Sequence, residues 1–531
     1  MPSYEEVAKH NSPESVWIIV HGKVYDVTAF LPEHPGGQKI ILRYAGKDAT
    51  AKFDTIHPKD IIDKLLPKEA YLGPVTGTPP TTQKSGNKQA ESKQDENEED
   101  DEDEDDDDDE DSEYEAIRSK YNDNKPPLNQ MYNLFDFENV ARRVMTRTGW
   151  GYYSSGADDE ITLRENHRAF HRIWFRPKVL VDVTHVDPST SLLGIKSSLP
   201  IYITATALGR LGHPDGEKVL TRAAAHENVI QMIPTLASCS FDEIVDARLK
   251  PDQPQWFQLY VNMDREITKK IVQHAEKRGI KGLFITVDAP QLGRREKDMR
   301  AKYVAQGANV QEEEDEEEEE EDTGSEITGS GIDRSQGYAR AISSFIDPAL
   351  SWKDLVWFRS ITKMPILIKG VGRVEDAIRA AEAGIDGIVI SNHGGRQLEF
   401  AKPAIEVLAE VMPALRARGL DKNFEVYIDG GIRRATDIVK AVCLGAKGVG
   451  IGRPFLYAMS SYGEKGVRRA IQLLRDEFEM NMRLLGVTSV DQLNETFLDI
   501  RDLSHHSAIP SDNLTQAVYE PMVPPSFKSK I

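Results

Sequence analysis

The chain has little cysteine, no long apolar run and no excess of basic charge, and each shortage removes a class of protein. Two cysteines among 531 residues, Cys239 and Cys443, cannot form a disulfide framework, and both stand in apolar stretches, which fits a reducing compartment. No apolar segment approaches the ~20 residues that cross a bilayer, so no membrane span is expected. Lys and Arg number 66 against 87 Asp and Glu, a formal charge of −21, and nothing in that balance suggests nucleic-acid binding. A Gly-x-Gly-x-x-Gly fingerprint between a strand and a helix is also missing, which argues against a Rossmann dinucleotide site. The first residues, Met1-Pro-Ser-Tyr-Glu-Glu6, follow neither a signal-peptide nor a transit-peptide pattern.

What acidity there is comes in two blocks. Asp95–Asp111 holds 16 acidic residues in 17 positions, and 312–322 is acidic at all 11. Neither block contains Lys or Arg, so removing their 27 charges leaves −21 + 27 = +6. The remainder is mildly basic, and the blocks read as solvated tracts that pack no core, either spacers or docking surfaces for a basic partner. A chain of this length holds more than one domain.

Residues 1–76 read as a compact α+β module. Val16–Val20 predicts a strand, His21-Gly22 a turn, and Lys23–Val27 the returning strand. Phe30-Leu-Pro-Glu-His34-Pro-Gly-Gly37 follows, and His57 comes 57 − 34 = 23 residues after His34. Two neutral imidazoles at the tips of helical hairpins can ligate one iron from opposite faces. Pro35-Gly36-Gly37 lets the backbone turn sharply beside it, and Phe30, Leu31, Ile41, Phe53, Ile61 and Leu65 offer an apolar slot. On these residues the module resembles the cytochrome b5 family, which implies a b-type haem held by His34 and His57 that carries single electrons. Two strong axial ligands leave no open position for oxygen. Residues 77–127, bounded by Pro79-Pro80 and Pro126-Pro127, are expected to be a disordered linker kept extended by carboxylate repulsion.

From 128 to 510 short apolar runs alternate with helical patterns, the signature of a parallel α/β domain. Eight strands are expected: 200–206, 229–234, 256–261, 282–288, 365–369, 387–391, 425–429 and 448–452. Eight such units make a TIM (β/α)8 barrel, whose site lies at the C-terminal ends of the strands. Those ends carry Thr206-Ala207, Gln258-Leu-Tyr260, Thr286-Val-Asp288, Lys369, Asp429-Gly-Gly-Ile-Arg433 and Gly452-Arg453. The sixth opens into Ser391-Asn-His393-Gly-Gly-Arg396-Gln397, where an imidazole suits proton transfer and a guanidinium suits a carboxylate. Gly430, Gly431 and Gly452, with Arg433 and Arg453, form a phosphate cradle after strands seven and eight. Lys369 suits an electron-accepting ring that becomes anionic on reduction. A phosphorylated redox ring, FMN, fits best.

Tyr152-Tyr153-Ser-Ser-Gly156, Gln258-Leu-Tyr260, Thr286-Val-Asp288-Ala-Pro290, Gly293-Arg-Arg295-Glu296, Ile368-Lys369-Gly370 and Ser391–Gln397 are similar to the FMN-dependent α-hydroxy-acid dehydrogenase and oxidase family. That resemblance implies roles. His393 is the base, taking either the α-proton or the hydroxyl proton, and Asp288 stabilises its imidazolium. Arg396 and Tyr152 hold the substrate carboxylate, Tyr260 the hydroxyl, and Arg295 lends positive charge. Lys369 supports the reduced flavin, Gln258, Thr286 and Ser391 contact it, and Ala207 and Leu236 wall a pocket for a small side chain. Where the family places Ser this chain has Pro234, which removes one flavin contact that Thr235 is positioned to replace.

An acidic insertion at 306–335, between the fourth and fifth strands, reads as disordered, and 511–531 as a tail. Met480, Met482, Leu484 and Leu485 mark the barrel's last helix. With the b5-like module in front, the resemblance implies oxidation of L-lactate, electron flow to cytochrome c, and a homotetramer. Two other readings stand beside it. One is an FMN-dependent oxidase that uses oxygen; the other is a haem module on a non-catalytic barrel, against which the intact His393, Arg396, Asp288, Tyr260 and Lys369 set argues. The compartment stays open between cytoplasm, mitochondrial intermembrane space and peroxisome, the last from Ser529-Lys530-Ile531, one residue from Ser-Lys-Leu.

Overall fold

A computed structural model describes residues 1–33, 38–50, 53–54, 62, 66–77, 105–304 and 346–506. Two compact units separate near residue 123.

The first unit is built on a four-stranded antiparallel sheet, β1 (Asn11–Ser12), β2 (Ser15–Val20), β3 (Lys23–Asp26) and β4 (Tyr71–Pro74), paired in that order. The β2–β3 turn is His21-Gly22, both at positive φ (52° and 71°), the two-residue geometry that matches strand twist. Val16, Ile18 and Val20 face one cluster with Leu31, Ile41, Phe30 and Phe53. Ile19 faces the other way, onto Val7 and Val24, so β2 is buried on both sides. Ile62 and Leu66 join the first cluster, whereas Ile61, Leu65, His34 and His57 lie outside the described residues.

The expected linker differs from its reading in one stretch: Asp105–Asn124 is a helix, α1. Its acidic residues crowd the N-terminal half, where the helix dipole is positive, and Arg118 pairs with Glu115 one turn back. Helix formation there satisfies the backbone, so self-repulsion along the sequence does not decide the conformation. Residues 78–104, the 306–335 insertion and the 511–531 tail lie outside the described residues.

The second unit is a closed barrel of eight parallel strands: β5 (Ile201–Ile203), β6 (Ile230–Ile233), β7 (Gln255–Leu259), β8 (Leu283–Thr286), β9 (Ile366–Val371), β10 (Gly387–Ile390), β11 (Glu425–Asp429) and β12 (Gly448–Ile451), with β12 pairing back to β5. Each expected strand is present: Glu425–Asp429 has the expected bounds, Gln255–Leu259 starts one residue earlier, Ile366–Val371 runs two residues further, and the other five are shorter at one or both ends. The barrel interior is filled by Tyr202, Trp256, Phe284 and Tyr427 with Ile230, Met232, Leu367 and Val389. Burying each of these side chains contributes roughly 1.5–3 kcal/mol. The core plugs the middle of the barrel and leaves the C-terminal mouth for polar groups.

Before the barrel, α2 (Leu134–Val144) starts at an Asn133/Asp136 capping box and buries Leu134, Phe137, Val140, Ala141 and Val144 along one stripe. Next come α3 (Arg147–Ser154) and α4 (Ile161–His171), which lead to the mouth. The last helix, α5 (Arg453–Leu485), begins at the end of β12 and breaks at Tyr462-Gly463. Met482 and Leu485 are buried in it, while Met480 and Leu484 face solvent. Among the described residues no helix is long and apolar enough to cross a membrane.

Candidate active site

The cleft at the C-terminal mouth encloses about 1080 Å³ of atom-free space, part of it open to solvent, more than a hydroxy acid alone requires. Tyr152, Tyr260, Arg295, Lys369, His393 and Arg396 line it, as do Thr206, Ala207, Gln258, Thr286, Asp429, Gly430, Gly431, Arg433, Gly452 and Arg453. Asp288 and Ser391 stand one layer behind this wall, bonded to residues that line it.

The turn after β10 presents His393. Its backbone is left-handed (φ 58°), as are Gly394 and Gly395 (64° and 75°), and a histidine holds such a conformation only where neighbours fix it. Two contacts do so. Asn392 and Asn166 of α4 exchange amide hydrogen bonds of 2.9 and 2.7 Å. A side chain on Gly395 would meet the Leu163 backbone at 2.6 Å, so only glycine admits α4 this close.

His393 Nδ1 lies 2.9 Å from Asp288 Oδ1, and Nε2 lies 3.3 Å from the Tyr260 hydroxyl on the cavity side. Burial lowers the His393 pKa below its ordinary range, Lys369 and Arg295 add to this, and Asp288 opposes it. Burial raises the Asp288 pKa, but His393 and Lys369 outweigh it and hold the carboxyl below the usual range. The pair is therefore a neutral imidazole poised against a carboxylate. Burial, with Asp288 adding, raises the Tyr260 phenol well above its usual range, so it stays protonated and can donate.

Arg295, Arg396 and Arg453 form a cluster of cations. Burial, then repulsion from Arg396, lowers both Arg295 and Arg453 to about 10. Arg453 donates to the carbonyls of Tyr153, Gly394 and Ser155, and Arg396 to those of Tyr152 and Ser155. Among the described residues no carboxylate lies within ion-pair distance of these three. Cations gathered in a cleft with no described carboxylate at ion-pair distance suit an anionic ligand.

Deeper in the barrel, Lys369 Nζ lies 3.5 Å from Asp429 Oδ2 and 3.3 Å from Ser391 Oγ. Burial pulls its pKa down, but Asp429 and Asp288 prevail and raise it, so the ammonium is secure. Ser391 donates to Asp429 at 2.5 Å and accepts from the His393 N–H, which makes it a support of the His393 turn. Gln258 donates to Thr286 Oγ1 (2.9 Å) and accepts from the Thr235 N–H (3.1 Å), which fixes its amide. The Thr235 hydroxyl donates to Gln258 O and accepts from Tyr260 N. It therefore secures strand β7.

These donors fit FMN. A fixed amide and a cation flank the place for a polar ring, and glycines with Arg433 close the other end. The glycines have separate reasons. Gly430 needs its φ of 94°, whereas a side chain on Gly431 would strike Asn166 O at 2.0 Å. Tyr153 and Ser155 stood inside the Tyr152–Gly156 motif without a role, and Asn166 was not named from sequence, though all three serve the site.

Residues 141–500 match the model of the FMN-dependent dehydrogenases, and 3–76 that of the cytochrome b5-like haem/steroid binding domain. The chain belongs to the FMN-dependent dehydrogenase family. It is 55% identical over 529 residues to L-lactate dehydrogenase (cytochrome) of Wickerhamomyces anomalus, covering 99% of this chain and 85% of that protein. The Saccharomyces cerevisiae protein of the same name is 49% identical over 520 residues, covering 97% and 82%. A flavocytochrome b2 variant solved with pyruvate bound matches with TM-score 0.67 and 49% identity, over 79% of this chain and 98% of that one.

Proposed function

We propose that this protein oxidises L-lactate to pyruvate and passes the electrons, through FMN and a b-type haem, to cytochrome c. The observation that carries the reading is His393 held neutral against Asp288, with Nε2 beside Tyr260 in a cleft where Arg295, Arg396 and Arg453 gather. Bound FMN would accept the two electrons leaving the substrate, and haem in the 3–76 module would relay them singly. Arg396, supported by Tyr152, holds the lactate carboxylate, and Arg295 adds charge beside it. Tyr260 orients the substrate hydroxyl. His393 Nε2 takes a proton from the substrate, and Asp288 stabilises the imidazolium as it forms. Lys369 would supply positive charge to a ring that becomes anionic on reduction. His34 and His57 would hold the iron of that haem.

Support also comes from the names of the two fungal relatives, which match nearly the whole chain. The same reading has the protein working as a homotetramer. The test is an anaerobic absorbance spectrum before and after L-lactate. Bleached flavin with the sharp bands of reduced six-coordinate haem is expected. Flavin bleached with haem left oxidised would move the reading to an oxidase, and no bleaching would remove lactate as substrate.

A further inference from the structure

The buried carboxylate of Glu217 takes no part in the chemistry described so far. It sits in the first turn of a helix (Glu217–Glu227) and is 0% exposed. Oε1 accepts from the backbone N–H of Gly209 at 2.7 Å and of Ser238 at 2.9 Å, and Oε2 accepts from Cys239 N–H at 3.1 Å. Gly209 belongs to the loop after β5, and Ser238 and Cys239 to the loop after β6. One side chain therefore ties together the two loops that carry Ala207 and Leu236 into the cleft.

The tie holds a strained piece of backbone. Leu208, next to Ala207, has φ 57° and ψ 47°, the left-handed region that a leucine avoids. Its N–H donates to Leu236 O at 3.1 Å, and its carbonyl accepts from the Tyr153 hydroxyl at 2.6 Å. A Cβ on Gly209 would come within 2.8 Å of the Glu217 carboxyl carbon, so glycine is what permits this approach. Strain at Leu208, fastening on both sides of it, and a closed path from Glu217 to Ala207 and Leu236 are the marks of a wall held in one position.

We infer that Glu217 is a positioning residue that sets the size of the 2-hydroxy acid this site accepts, by clamping the Ala207–Leu236 wall. The inference rests on the proposed oxidation of a small 2-hydroxy acid. Glutamine at this position would replace one carboxylate oxygen, which accepts from backbone N–H groups, with an NH2 donor facing them, and aspartate would fall one methylene short. Either change lets the loops part and the wall recede, which relaxes rejection of longer side chains while leaving His393 and Asp288 in place.

The experiment measures kcat and KM of the holoenzyme for L-lactate and for L-2-hydroxyoctanoate, in wild type, Glu217→Gln and Glu217→Asp. The preference for lactate in kcat/KM is expected to fall about tenfold, chiefly through KM, with the pH profile of kcat unmoved. A double-mutant cycle with Leu236→Ala separates a clamp from general loosening. If Glu217 acts through that wall, Glu217→Asp changes the preference little once Leu236 is gone. Lower thermal stability with an unchanged preference would overturn the inference, and should Glu217→Gln fail to fold, Glu217→Asp alone decides it. Wild-type protein that oxidises neither acid would instead overturn the functional reading beneath it.

Discussion

His393 is tuned by opposing neighbours, and its titration tests the site residue by residue. Burial, Lys369 and Arg295 depress its pKa, and Asp288 raises it. The base form therefore persists into mild acid, and kcat/KM should fall only below the ordinary histidine range of about 6.5. Asp288→Asn removes the one opposing charge, so the acid limb should move to still lower pH. Turnover should meanwhile drop by about 10²–10⁴, because the imidazolium loses its partner. A pH–rate profile with the limb moved upward would contradict this arrangement. His393→Gln should keep flavin bound and cost at least about 10² in kcat; a variant above a tenth of wild-type rate removes His393 as the base. Both residues were legible because each follows a strand end within a recognisable motif. The layering was not legible. Spacing along the chain cannot tell that Ser391 faces Asp429 and Lys369, since that depends on how neighbouring strands register.

At the scale of elements, the eight strands were readable because a strand buried on both faces needs a continuous apolar run, and helices separate the runs. Asp105–Asn124 misled for the opposite reason: a highly charged helix shows no periodic apolar face, and its sequence reads as tether. The contact between α4 and the His393 turn also left no mark beyond glycines that look like turn formers. It can be tested at Gly395. An alanine there meets Leu163 backbone at 2.6 Å and must hold a φ of 75°. Gly395→Ala should destabilise the barrel by about 1–3 kcal/mol and lower kcat, since the turn carrying His393 has to shift. Calorimetry and steady-state rates together check this. A stable variant with wild-type kcat would mean that α4 yields and does not position the turn.

The whole molecule joins a haem module to a barrel, and its two acidic tracts hold 27 carboxylates on an otherwise mildly basic chain. His57→Ala should abolish the haem spectrum while L-lactate still bleaches the flavin, because the barrel closes on its own hydrogen bonds from β5 to β12. Loss of flavin bleaching would show that the modules depend on each other. The tract at 95–111, with 16 acidic residues, provides a test of the proposed transfer to cytochrome c. A basic acceptor such as cytochrome c would be drawn by that field, and the attraction should weaken as the Debye length falls from about 30 Å at 0.01 M salt to about 8 Å at 0.15 M. Deleting 95–111 should therefore slow cytochrome c reduction at low salt and flatten its salt dependence, while flavin reduction by lactate stays unchanged. Stopped-flow rates at both steps separate these effects. Equal cytochrome c rates with and without the tract would make it a spacer, and would leave recognition of the acceptor to the folded surface.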